Sequence, residues 1–513
     1  MQRLGIFEDK SKHGIARSVK IPASAWRVLA VLSSLATMVM YAETMLIPAL
    51  PDLIREFNVS YSISSWILSA YLIPGAVMTP VAGKLSDIYG KKKVLLAILA
   101  IYAIGLSLAA FSSSIYMLIG SRAIQGVGMA MFVIAFGIIR DSFPREKISI
   151  GQGVITSMFA SGAVIGLLIG GVIINNYGWH ATFLSTLPIA IVLFIIVWRF
   201  KINPQRLQQQ PQEWNKPAEI PAKPQTADSF AAYKSVDIKG ALSLAVCISS
   251  FLIALTLVET GSSSGMGQVL FFIAIGGAAL ALFIVTEKRS TAPLVDFRLI
   301  TNKAILSSNL IIMVVGFSMF MVFQTVPVLV RNPPPLGFGG DAATAGYIQL
   351  PFAIVLLVFG PTSGYIVSRL GSMRPVIMGT GITTAGFIAL TAFHQSWIAV
   401  AVNLAFLSTG LSLTNVGAMN VTILATPAEL TGMSLGMNTL FRIFGSSVGP
   451  ALAGVYLQMF QQTIEMTGKP ITFPSMQAYS VIFMTAAILS IVSIALALYL
   501  KRRLAKMSIP NLA

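Results

Sequence analysis

The stretch Gly83-Lys84-Leu85-Ser86-Asp87-Ile88-Tyr89-Gly90-Lys91-Lys92-Lys93 is a charged hinge between two apolar runs. Each run is long enough to cross a hydrocarbon core of about 30 Å, which takes about 20 helical residues. The hinge occurs twice. Gly364-Tyr365-Ile366-Val367-Ser368-Arg369-Leu370-Gly371-Ser372-Met373-Arg374 keeps both glycines at the same spacing and again ends on a basic residue, with position 83 meeting position 364. A charged turn between membrane-length runs, found twice, predicts a chain made of two copies of one membrane-spanning unit.

Working outward from the first hinge, six apolar runs extend from Trp26 to Leu50, Ser62 to Gly83, Val94 to Phe111, Ile115 to Ile139, Gly151 to Ile174 and Ala181 to Trp198. Around the second hinge there are six more: Ile305 to Val330, Ala345 to Val367, Pro375 to Phe393, Trp397 to Met419, Met433 to Leu457 and Tyr479 to Leu500. Between the two sets lie the runs Ala241 to Val258 and Gln268 to Thr286. The prediction is an all-α polytopic membrane protein with two six-helix bundles plus two extra central helices, about fourteen spans in total. Its expected parts are a tail (1–25), a first bundle (26–199), a linker (200–237), the inserted pair (238–287), a loop (288–304), a second bundle (305–500) and a second tail (501–513). The linker carries prolines at 204, 211, 217, 221 and 224 and the run Gln208-Gln209-Gln210. Such a composition cannot bury a core.

Composition excludes the main alternatives. With 55% hydrophobic and only 10% charged residues, the chain is far from the soluble norm of about a quarter charged. The net charge of +17 sits in short loops between apolar runs, which is the positive-inside pattern and not a nucleic-acid face. Lys91 to Lys93, Arg140, Arg145, Lys147, Arg199, Lys288, Arg289, Arg369, Arg374 and Lys501 to Arg503 fall on one side if every run crosses; Arg55, Arg331 and Lys469 fall on the other. Both termini are expected in the cytosol of a multi-pass cell-membrane protein, where the basic loops meet anionic lipid. The first 20 residues lack the apolar core of a secretory signal. Cys247 is the sole cysteine and lies in an apolar run, which excludes a disulfide framework or a cysteine-based metal site. His13, His180 and His394 stand at loops or span ends, and no nucleotide-binding loop accompanies a soluble domain. An enzyme is not expected, nor a metal or organic cofactor.

The repeat extends beyond the hinge. Tyr41-Ala42-Glu43-Thr44 meets Val322-Phe323-Gln324-Thr325, and Gly153, Gly162, Gly166 and Gly171 meet Gly436, Gly445, Gly449 and Gly454. Parallel repeats about an axis along the membrane normal, with a small-molecule site between the halves, describe a rocking transporter. A channel would show a filter-like loop, and a receptor would need a signalling domain. With no nucleotide domain, the expected energy source is an ion gradient.

These residues also resemble a known family. Gly83 to Lys93 looks like the loop signature of the major facilitator superfamily, and Arg122-Ala123-Ile124-Gln125-Gly126-Val127-Gly128 resembles the fourth-helix signature of its drug:proton antiporters. Gly162, Gly166, Gly170 and Gly171 resemble the fifth-helix signature, although the family's proline after the middle glycine is Leu167 here and appears instead as Pro450 in the second copy. The resemblance implies the fourteen-helix branch: proton-coupled exporters of lipophilic, cationic drugs, functional as monomers. The alternative within transport is a dedicated exporter of one metabolite.

Candidate residues follow. Glu43 is the single acid well inside an apolar run, and an intramembrane acid is a functional candidate by default. It is expected to carry the proton, or else to sit protonated against a neighbouring helix. Fourteen-helix relatives place their acid one residue earlier, where this chain has Ala42, so Glu43 is turned about 100° around the helix. Arg122 lies at a similar depth; it is expected to pair with Glu43 in proton transfer, or to tie helices through backbone carbonyls. Asp87, with Gly83, Gly90 and Lys91, is expected to form a conformational latch toward the helix beginning near Gly432; its counterpart is Ser368. The glycines spaced by four permit close helix approach. A substrate cavity is expected to involve Tyr41, Gln125, Gln324 and Arg442, with aromatic and thioether side chains suited to lipophilic cations.

Overall fold

The computed structural model describes residues 21–144, 148–199, 238–257, 263–290, 299, 301–426, 431–466 and 469–506. The expected linker, and residues 1–20 and 507–513 of the expected tails, lie outside them. The first half comprises α1 (Ala23–Thr44), α2 (Leu50–Phe57), α3 (Tyr61–Tyr89), α4 (Lys91–Ala110), α5 (Ile115–Gly126), α6 (Met131–Ser142), α7 (Ile148–Tyr177) and α8 (His180–Arg199). The inserted pair is α9 (Ile238–Leu257) and α10 (Ser263–Arg289). The second half comprises α11 (Lys303–Arg331), α12 (Ala342–Leu370), α13 (Met373–Ala392), α14 (Trp397–Leu424), α15 (Thr431–Met459) and α16 (Met476–Lys506). Among the described residues, 12 helical stretches are long and apolar enough to cross a membrane, with shorter apolar helices at Ser161–Tyr177 and Lys239–Leu255.

The hinge is more helical than its charge suggests. The apolar, membrane-length stretch ends at Gly83 as expected, but α3 continues to Tyr89, and the chain turns at Gly90, whose φ is +91°. No proline or glycine interrupts residues 84–89, so nothing stops the helix until a residue tolerates positive φ. The second copy behaves alike, with α12 running to Leu370 and Gly371 turning at φ +76°.

Prolines and caps set the other boundaries. The first span breaks at Thr44, because Pro48 has no N–H to donate to the Thr44 carbonyl and its ring crowds that oxygen. A 3₁₀ turn, Ile47–Ala49, leads into α2. Side chains of Ser60, Ser114, Asn302 and Asp341 accept hydrogen bonds from the first turns of α3, α5, α11 and α12, satisfying donors that a helix start leaves open. The fourth span is split into α5 and α6 by a 3₁₀ turn at Val127–Ala130.

The halves are built alike. α1 packs on α7 as α11 packs on α15, and α4 packs on α8 as α13 packs on α16. They meet through an exchange: α3 of the first half lies on α15 of the second, and α12 of the second lies on α7 of the first. At the α7–α12 crossing, a Cβ on Gly171 would stand 2.7 Å from the Ala342 carbonyl oxygen, and one on Gly346 would stand 2.6 Å from that of Leu167. Only glycine fits there. α9 and α10 pack on each other, and α9 rests on α3 and α15, beside the line where the halves meet. A hairpin of β1 (Gln461–Met466) and β2 (Lys469–Pro474), with Gln461 opposite Pro474, lies between α15 and α16.

Candidate functional site

Where α1 breaks, the last turn leaves carbonyls with no N–H to accept. Arg122 of α5 fills that gap. It donates from Nη1 to the Ala42 carbonyl at 2.8 Å and from Nη2 to that of Glu43 at 3.3 Å. It also donates from Nε to the Ile67 carbonyl of α3 at 3.3 Å and from Nη1 to Gln125 Oε1 at 2.9 Å. Its guanidinium lies 4.2 Å from the centroid of the Tyr71 ring, while the Tyr71 hydroxyl donates to the Val39 carbonyl and Gln125 Nε2 donates to Gly105. A cation at a helix C-terminus is favoured by the helix dipole, and this one is fully buried. Of the two arrangements open to Arg122 from sequence, the structure has the backbone tie and not a carboxylate pair.

Glu43 is 2% exposed, and neither carboxyl oxygen has a hydrogen-bond partner among the described residues. An ionised carboxylate so placed is costly, because burial strips its water and nothing replaces it. Its charge is felt by Arg122, by Tyr71 of α3, by Tyr102 of α4 and, across the interface, by Arg442 of α15. Its repeat counterpart Gln324 is also buried, with Oε1 lacking a partner among the described residues, as does Oε1 of buried Gln349 on α12.

Accessible stripes show which side is open. On α1, Ala30 and Ser34 are exposed and Thr37 half-buried, whereas 38–50 are wholly buried. On α11, Leu306, Leu310, Met313, Phe317 and Phe320 are half-buried, whereas 321–330 are wholly buried. On α15, Leu435, Thr439 and Arg442 are half-buried, and Ser446, Gly449, Pro450 and Ala453 above them are buried. Outer-ring helices such as α8 instead expose apolar side chains along their length, from Leu184 to Trp198. The stripes therefore mark a cleft between the halves that opens on the face carrying the basic loops and ends near Arg442.

The opposite face is sealed. Arg331 of α11 forms a two-pronged ion pair with Asp52 of α2. Ser69 Oγ donates to the Ser447 carbonyl at 2.9 Å, and the Tyr61 N–H donates to Gln458 Oε1 at 3.2 Å. A cavity of ≈ 310 Å³ lies outside this seal, lined by residues including Arg55, Tyr61, Asn332 and Phe473. None of the site residues expected from sequence lines it.

The remaining candidates divide. Of the expected cavity residues, Arg442 reaches the cleft; Tyr41 points into its own bundle toward Ser185 and Thr186, Gln125 is engaged by Arg122, and Gln324 is buried in the closed part of α11. The glycine face of α7 packs tightly on α1, with Gly162 against Thr37 and Met40, Gly166 against Tyr41 and Thr44, and Gly170 against Met45. In the hinge, Lys91 Nζ bonds Asp141 at 2.5 Å and the Gly137 carbonyl at 3.1 Å, within its own bundle. The Asp87 and Ser368 side chains lie outside the described ones. Sequence reading placed Arg331 on the side away from the basic loops but missed its pairing with Asp52, the acid just after Pro51.

Two six-helix bundles that meet around a one-sided cleft have the architecture of a membrane transporter. The Major Facilitator Superfamily model matches residues 32–330 and 308–511, and the chain belongs to that family. It is 26% identical over 415 residues to the multidrug resistance protein Stp of Mycobacterium tuberculosis, a match covering 80% of this chain and 71% of Stp. It is 24% identical over 437 residues to the tetracenomycin C resistance and export protein of Streptomyces glaucescens, covering 84% and 76%. Among solved structures, the human organic anion transporter MFSD10 shares the fold at TM-score 0.60 and 15% identity, over 93% of this chain and 100% of that one.

Proposed function

We propose that this chain is a proton-coupled antiporter of the fourteen-helix branch, exporting lipophilic and above all cationic toxic compounds from the cell by alternating access. The relatives named for multidrug resistance and for tetracenomycin C export support the efflux reading. The observation that carries proton coupling is Glu43: a sealed carboxyl without hydrogen bonds among the described residues, at the broken end of α1 and within electrostatic range of two arginines. The positive-inside bias supports a cytosolic side for the basic loops and both termini, and on that reading the cleft faces the cytosol. Cargo enters the cleft there while Glu43 gives up its proton. The halves then rock, the outer seal parts, Glu43 is hydrated and reprotonated from outside, and cargo leaves. No cofactor is required, and one chain contains both halves of the site.

The test is transport in vesicles with an imposed proton gradient. Export of lipophilic cations is expected to follow the gradient in the original protein and to lose that dependence in Glu43→Gln, with substrate still bound. Transport that ignores the gradient in both forms rejects the coupling; transport of a single metabolite and of no unrelated lipophile favours a dedicated exporter.

A further inference from the structure

We infer that Arg442 is a positioning residue for coupling: among the described residues, the cation near Glu43 whose distance changes as the halves rock, and so the group that makes proton release depend on which side is open. This rests on the antiport reading above. Arg122 cannot do this, since its bonds to the carbonyls of Ala42 and Glu43 fix it to α1 within the same bundle. Arg442 belongs to the other bundle.

Its placement follows from the packing. The Ile67 carbonyl and the Tyr71 ring flank Arg122, so this turn of α3 shares the layer of Glu43. Ser69, in the same turn, bonds Ser447 of α15. Arg442 lies five residues below Ser447, about 7.5 Å along the helix, a span that an arginine side chain reaches across. Its own carbonyl accepts from Ser446 Oγ, and a Cβ on Gly316 of α11 would lie 3.0 Å from that carbonyl oxygen, which holds this part of α15 firmly to the second bundle. Arg442 is half-buried as a residue at the head of the open cleft, and it lies within electrostatic range of Glu43. The other charged or titratable groups facing Glu43 are Arg122, Tyr71 and Tyr102, all in the first bundle.

Because Arg442 and Glu43 belong to different bundles, rocking of the halves changes the distance between them. A unit charge at about 7 Å in an effective dielectric of about 20 changes a proton equilibrium by more than tenfold. Near Arg442, Glu43 is held as the anion and its proton leaves to the cleft; apart from it, the proton returns. Cationic cargo entering the cleft favours the same anionic state, which makes cargo and proton alternate.

The experiment is binding of rhodamine 6G to the purified full-length protein, read by fluorescence anisotropy across pH. Arg442→Gln is expected to move the pH midpoint of binding upward by roughly one unit, Arg442→Lys to keep it, and Glu43→Gln to flatten the profile. When the outer ion pair is also removed with Asp52→Asn, the Arg442→Gln displacement is expected to shrink, because the open outer state already separates the two groups. A midpoint unmoved by Arg442→Gln, or moved equally by Arg442→Lys, overturns the inference while leaving the antiport reading intact. A wild-type profile flat in pH overturns both.

Discussion

Arg122 shows how one side chain serves as a helix terminus. Its donors satisfy two carbonyls at the end of α1, one in α3 and the amide of Gln125, so removing it leaves several buried acceptors empty at once. Each such acceptor costs about 1–3 kcal/mol. Arg122→Ala is expected to destabilise the detergent-purified protein by about 3 kcal/mol or more, seen as a lower thermal unfolding midpoint. Arg122→Lys, which keeps the charge but lacks the planar fork, should recover only part. Equal midpoints for Ala and the original residue would show that the network carries little. Sequence made the residue visible, since an arginine inside an apolar run is rare. It left the choice of partner open, because that choice turns on where α1 stops. Glu43 was equally legible as an intramembrane acid. That its oxygens lack hydrogen bonds depends on contacts between segments distant in the chain.

At the scale of elements, glycine spacing in α7 and α15 was readable, but which glycines are needed was not. Gly166 sits where a Cβ would stand 2.6 Å from the Tyr41 carbonyl oxygen, whereas around Gly436 of α15 there is open space. Forcing a methyl group into packed backbone costs about 1–3 kcal/mol, while glycine to alanine in an unobstructed helix gains up to about 1 kcal/mol. Gly166→Ala is therefore expected to lower thermal stability and Gly436→Ala to raise it slightly or leave it unchanged. Matching losses at the two positions would mean that the α1–α7 approach is not the cause. The helix pattern itself was legible from apolar runs of membrane length; the breaks at Thr44 and Gly126, and the extension of α3 to Tyr89, were not. Hydropathy records burial in lipid, and these features are set by proline sterics, a tight turn and the lack of a breaker.

For the whole molecule, the repeat in sequence correctly indicated two equivalent bundles, yet it carried no sign of how they exchange α3 and α12 or which side is shut. Among the described residues, the shut side is held by few polar links between the halves, and the Asp52–Arg331 pair is the one in which both members are charged. It is two-pronged and partly screened from water, with side chains 31% and 13% exposed, a geometry stronger than an ordinary surface pair. Losing about 1–2 kcal/mol from one state of a two-state equilibrium shifts populations by roughly 5- to 30-fold. Ser69 is buried at the seal, so Ser69→Cys, in a Cys247→Ser background, reports opening through its reaction with a membrane-impermeant maleimide. Asp52→Asn is expected to raise the labelling rate several-fold, and the exchanged pair Asp52→Arg with Arg331→Asp to bring it back. Labelling that stays slow in Asp52→Asn would place the seal in the apolar and backbone contacts of α3 with α15 and α7 with α12, where the glycines at 171 and 346 already let the halves touch.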